Sequence, residues 1–79
     1  MSAHRARRAR LRELVASGRT IAAPGATDAL SARLIESQGF EAVYIGSYAT
    51  AASRFGLPDT GLLSLDDLAA QARTIVNAV

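Results

Sequence analysis

The stretch 40-FEAVYIGSYATAASRFGLPDTG-61 opens as an apolar run rich in β-formers, passes through Gly46, Ser47 and Tyr48, and closes in a Pro-containing turn with one carboxylate, Asp59. The run 40–46 is mostly continuous rather than alternating, the pattern of a strand covered on both faces. A second apolar run, 20-TIAAPGATD-28, ends at Pro24-Gly25 and reads as a short buried strand. Between the two runs, Ala29, Leu30, Ala32, Arg33, Leu34 and Ile35 recur at helical spacing, with Thr27 or Asp28 able to cap the start and Gly39 the end. Strand, helix and strand joined by short connections make a right-handed βαβ unit with parallel strands.

Outward from this unit, residues Arg5 to Ala16 have a helical pattern that stops at Ser17-Gly18. A short helix is expected through 49-ATAASRF-55. Ser64 with Asp67 three residues later gives a capping-box-like start to a last helix carrying Leu68, Ala72, Ile75 and Val76 inward. The fold class expected is α/β: a leading helix over 1–18, then β/α units over 19–79. Two parallel strands leave edges that a complete fold would pair.

The chain has 79 residues, 49% of them apolar, and no cysteine, which excludes disulfides and Cys-type zinc or redox sites. Its nine basic residues are all arginine, and five of them fall between Arg5 and Arg12, whereas the acids begin at Glu13. Such a run suits a phosphate-binding arm or a polybasic membrane contact. Leu11, Leu14 and Val15 give the segment a narrow apolar stripe instead, and the arginines then form the solvated face of a first helix. No aromatic residue or nucleic-acid motif accompanies the run, so neither nucleic acid nor membrane is expected as a partner. The start is basic and acid-free like a mitochondrial presequence but lacks its serine enrichment. No apolar stretch is long enough for a signal peptide or a membrane helix. A cytoplasmic location is expected.

Ligands of parallel α/β folds bind where strands end at their C-terminal edge. There Gly46 allows close backbone approach, Ser47 offers a hydroxyl, and successive N–H groups before a helix can hold a carboxylate or phosphate. The same residues also make an ordinary strand-to-helix turn with Ser47 as cap. Asp59 would be a plain turn acid or, with its loop folded over the strand end, would serve a Mg²⁺ site directly or through water. His4, the only histidine, lies in the Arg-rich start and is read as solvated.

Taken together, APGATDALSARLIESQGFEAVYIGSYATAASRFGLPDTGLLSLDDL resembles the N-terminal part of the isocitrate lyase and phosphoenolpyruvate mutase superfamily, especially its 2-methylisocitrate lyase-like members. The resemblance runs from about Ile21 to the C-terminus. It rests on the order of GF, a strand with Y-x-G/S and small residues, GLPD-x-G, and a helix beginning at L-DD. It implies a (β/α)8 barrel and a longer parent enzyme, homo-oligomeric and Mg²⁺-dependent, acting on a small carboxylate of the pyruvate, oxaloacetate or methylisocitrate kind.

Residue by residue, Gly46, Ser47 and Tyr48 match the family's substrate-carboxylate segment, typically S-G-G in the methylisocitrate lyases; the bulk of Tyr48 narrows the pocket. Asp59 matches the loop aspartate that supports Mg²⁺ and its waters in lyases and contacts the phosphoryl group in mutases. Tyr44 matches a position near the reacting carbon. The family's D-x-D metal pair and Lys-Cys-Gly-His segment would lie beyond Val79. The chain is thus expected to be an N-terminal fragment of a C–C bond lyase, inactive by itself, with phosphonate mutation and oxaloacetate decarboxylation as alternative parent activities. The alternative from another class is a non-catalytic assembly segment.

Overall fold

The structure is a computed structural model and describes residues 3–79. Helices α1 (Ala3–Ala16), α2 (Ala29–Ser37), α3 (Ser47–Ala49) and α4 (Leu65–Ala78) follow in order, with a π-helical turn at Thr50–Phe55 continuing α3. Local chemistry sets the helix ends. Asp28 caps α2, accepting from the Ser31 N–H at 2.7 Å while Ser31 Oγ receives the Asp28 N–H at 3.1 Å. Ser64 and Asp67 cap α4 in the same reciprocal way, at 3.1 and 2.9 Å. Past the π turn the chain reverses at Gly56, whose φ of 64° lies in the left-handed region that favours glycine.

The two expected strands are reduced to one parallel bridge, Gly25 to Tyr44, closed by Tyr44 N–H to the Pro24 carbonyl and Ala26 N–H to the Tyr44 carbonyl, each 2.9 Å. No longer strand forms among the described residues. The parallel orientation holds; the length does not. Continuing the ladder backward would require an N–H at residue 24, and proline has none. Continuing it forward would require the Asp28 N–H and the Gly46 carbonyl. The first is committed to Ser31 Oγ, and the second already receives the Thr50 N–H and Thr50 Oγ1. Pro24 and the two helix starts therefore cut the pairing from both sides.

Around this bridge the core is small. Ala26, Ala32 and Ile75 are fully buried, with Ile35, Val43, Ile45 and Val79 packed against them. Val43 and Ile45 turn to this core while Tyr44 between them stays 62% exposed, so the second apolar run is covered on one face among the described residues, not two. Small alanines let α2 and α4 approach closely, and Ile75 fills the space they leave. Leu30 and Leu34, expected on the buried face of α2, stay exposed, because Ala32 and Ile35 take the contact with α4.

Helix α1 buries only Leu14; Leu11 and Val15 of its expected stripe remain exposed. Its arginines are more than a solvated face. Arg7 donates to the Val76 carbonyl in the last turn of α4 at 2.7 Å, where a cation suits the helix dipole. Arg10 reaches Glu41 at 2.8 Å, and Arg19 joins the same carboxylate at 3.3 Å.

Two carboxylates are held below their ordinary values: Asp28 by the hydrogen bonds from Ser31, and Glu41 first by the Arg19 hydrogen bond and then by the charges of both arginines. A folded-state value that is depressed gives stability that is present above the unfolded value and lost as pH falls through the folded one. Acid titration followed by circular dichroism should accordingly show flat stability from neutral pH down to the ordinary carboxylate range, near pH ~4, and a decline below it. Replacing both Asp28 and Glu41 by their amides should flatten that decline.

Candidate functional site

The sequence-predicted site residues converge. Tyr44, Gly46, Ser47, Tyr48 and Asp59 line one open cleft of about 290 Å³, joined by Gly25 and Ala49. The cleft lies where the parallel bridge ends and the chain turns into α3. Ser47 and Asp59, 12 residues apart, meet directly: Ser47 Oγ donates to Asp59 Oδ2 at 3.1 Å. The GLPDTG loop thus folds back over the strand end. Of the two roles open for Ser47, the cap is not taken, since no side chain caps the turn at Gly46.

That leaves the first-turn N–H groups of Ser47 and Tyr48, which have no intrahelical acceptor, at the cleft wall. Behind them the turn is held tightly. The Gly46 carbonyl receives the Thr50 N–H at 3.1 Å and Thr50 Oγ1 at 2.8 Å, and Thr50 is fully buried. A π-helical turn at this place is an irregularity of a kind that recurs at functional sites.

Tyr44 and two glycines form the floor. A Cβ at Gly46 would lie 2.8 Å from Tyr44 Cε1, and one at Gly25 would lie 4.0 Å from Tyr44 Cδ1. The ring therefore rests across both strand ends. Gly25 was not singled out in the sequence, although its place at the end of the first apolar run, directly after Pro24, marks it. Tyr48 stands exposed at the rim. His4 is exposed on α1 and has no place in this cleft.

A further residue was invisible in the sequence. Gln71 of α4 is 3% exposed; its Nε2 donates to the Thr27 carbonyl at 2.7 Å and its Oε1 accepts from Arg54 at 3.1 Å. Arg54 also lies 5.7 Å from the centroid of the Phe55 ring. Its spacing, between Leu68 and Ile75 on the inward stripe of the helix, does not by itself say that a polar side chain is buried there.

Comparison with known proteins decides the lineage. The sequence pattern of the phosphoenolpyruvate phosphomutase family matches residues 11–79. The chain belongs to this family. It is 44% identical to the 2,3-dimethylmalate lyase of Eubacterium barkeri over 70 residues, covering 89% of this chain and 24% of that enzyme. It is 41% identical to the chloroplastic carboxyvinyl-carboxyphosphonate phosphorylmutase of Arabidopsis thaliana, covering 84% of this chain and 20% of the relative. The 2-methylisocitrate lyase of Bacillus subtilis is 38% identical, with 87% and 23% covered.

A crystal structure of 2,3-dimethylmalate lyase, a member of the phosphoenolpyruvate mutase/isocitrate lyase superfamily, superimposes with a TM-score of 0.77 at 42% identity. The match covers 91% of this chain and 25% of that one. The chain thus spans about a quarter of the length of the relatives it matches. Among the described residues no helix is long and apolar enough to cross a membrane.

Proposed function

We propose that this segment supplies the carboxylate-binding strand end and the loop acid of a lyase that cleaves a C–C bond next to a 2-oxo or 2-hydroxy carboxylate. It would do so as the leading helix and first two β/α units of a (β/α)8 barrel. The observation that carries the reading is the meeting of Ser47 and Asp59 at 3.1 Å across a cleft walled by uncapped N–H groups. The first-turn N–H donors of Ser47 and Tyr48 line the region a substrate carboxylate would occupy, and the Ser47 hydroxyl, which donates to Asp59 in the unliganded cleft, would turn from it to the substrate once Mg²⁺ takes the Asp59 oxygen. Asp59 is kept beside that region but bonded through one oxygen to Ser47. The likeness to dimethylmalate and methylisocitrate lyases, whose named substrates are small hydroxy-carboxylates, supports the same substrate class.

The donor set suits Mg²⁺ in part. Asp59 offers an exposed hard oxygen, while no group of three or more His, Cys, Asp or Glu gathers among the described residues. Asp59 would therefore hold Mg²⁺ as one ligand or through a bound water, and the metal when bound supplies a Lewis acid where negative charge develops on the substrate oxygen. Ser47 and its neighbouring N–H groups fix the carboxylate, and the Tyr44 ring on its glycine floor limits the room beside the reacting carbon. The likeness to the Arabidopsis phosphorylmutase supports a second reading, in which Asp59 contacts a transferring phosphoryl group.

Calorimetric titration of the intact protein with pyruvate in the presence of Mg²⁺ tests the site. Ser47→Ala removes one hydroxyl donor to a charged ligand and should weaken pyruvate by roughly tenfold, the scale of a hydrogen bond to a charged group. Unchanged affinity in this variant would remove Ser47 from the site. Assay of pyruvate release from dimethylmalate and methylisocitrate, against phosphoryl transfer from phosphonopyruvate, separates the two readings.

A further inference from the structure

Buried amides in the apolar stripe of a helix cost stability unless both ends are bonded. Gln71 meets that condition by joining segments that are remote in sequence, 44 residues away at Thr27 and 17 residues away at Arg54. Thr27 directly follows Ala26, whose N–H closes the parallel bridge onto the Tyr44 carbonyl. Arg54 sits in the π-helical turn whose first residue, Thr50, holds the Gly46 carbonyl through two hydrogen bonds. The two segments reached by one side chain therefore lie directly behind the two sides of the Ser47 cleft, Thr27 two residues after Gly25 and Arg54 in the turn that follows Ala49, while neither residue lines the cleft itself.

We infer that Gln71 is a positioning residue that sets the separation of the first strand end, at Gly25, from the second, at Gly46 and Ser47. The inference rests on the reading of that cleft as a carboxylate site. Only a side-chain amide of this length can do both jobs. Its NH₂ must donate to the Thr27 carbonyl while its oxygen accepts from a guanidinium. Glutamate would turn an acceptor toward the Thr27 carbonyl and keep only the Arg54 side. Methionine, of similar length, would keep neither. Arg54 is exposed, so its end of the link can be cut without opening the core.

The test uses the intact protein, with pyruvate and Mg²⁺ as the probe and ¹⁵N amide resonances as a second readout that does not depend on activity. Gln71→Met should weaken pyruvate roughly tenfold, the lower range for removing a group that orients a ligand-contacting residue. It should also shift the amide resonances of Ala26 and Ser47 together. Gln71→Glu should shift Ala26 while leaving Ser47 nearer its parent position. Arg54→Met should do the reverse, with a smaller loss of affinity.

A folded Gln71→Met protein with unchanged pyruvate affinity and unchanged Ala26 and Ser47 resonances overturns the inference. If that variant does not fold, Arg54→Met decides in the same way, by whether the Ser47 resonance and the affinity move. Failure of the carboxylate reading itself looks different: Ser47→Ala then leaves pyruvate affinity unaltered, while the resonances of the Gln71 variants still report whether the two sides are linked.

Discussion

In the intact protein, Asp59→Asn is expected to lower kcat by on the order of a hundredfold or more, the scale of removing a preorganised electrostatic group, with the melting temperature nearly unchanged. The asparagine keeps an oxygen that can accept from Ser47 Oγ, so the loop retains the contact that folds it over the strand end. What it loses is charge. Asp59 is exposed, and so is Ser47, whose hydroxyl it accepts from, which separates the catalytic from the structural outcome. Steady-state kinetics beside a thermal melt give both numbers from one preparation. Turnover within a few-fold of the parent, together with a melting temperature several degrees lower, would make Asp59 a turn acid and leave the cleft without its charged group.

Ile75→Ala should produce the largest loss of stability, about 2–5 kcal/mol by the usual cost of truncating a buried aliphatic side chain. Ile75 is 1% exposed and packs against Ala26 and Ala32, whose methyl groups cannot extend into the space it would vacate. Relaxation would have to come from movement of α4 against α2. Such movement would also draw Gln71, one helical turn earlier, away from Thr27. Urea unfolding should show a lower midpoint for Ile75→Ala, and a much smaller change for Ile75→Val, about 0.5–1.5 kcal/mol. Equal midpoints for Ile75→Ala and the parent would mean that the core lies elsewhere.

The features legible in the sequence were those that chemistry fixes within a few residues. Ser64 with Asp67 fixed the start of α4, Asp28 that of α2, and glycines marked the chain reversals, because caps and left-handed turns depend on neighbouring residues alone. The gathering of Tyr44, Gly46, Ser47, Tyr48 and Asp59 was legible because a strand end and the loop after it are close in sequence. The strand lengths were not. Apolar runs 20–28 and 40–46 reveal a preference for extended chain, but a ladder needs free partners on both sides, and Pro24, Asp28 and Gly46 withhold them. Gln71 was illegible for a different reason. An amide on a helix reads as surface until the two distant acceptor and donor groups that bury it are known. Leu30 and Leu34 err in the opposite sense, since periodicity alone could not show that the smaller Ala32 would take the contact.

The close approach of Tyr44 to Gly46 bears on how this cleft can evolve. The backbone at Gly46, with φ −101° and ψ 153°, is open to any amino acid, so the ring alone stands in the way of a side chain there. The two positions are therefore epistatic, and the order of change matters. A lineage that first shrinks residue 44 gains both a roomier cleft and the freedom to vary residue 46. One that first enlarges residue 46 must evict the tyrosine ring from its seat, altering the cleft before any new contact can compensate.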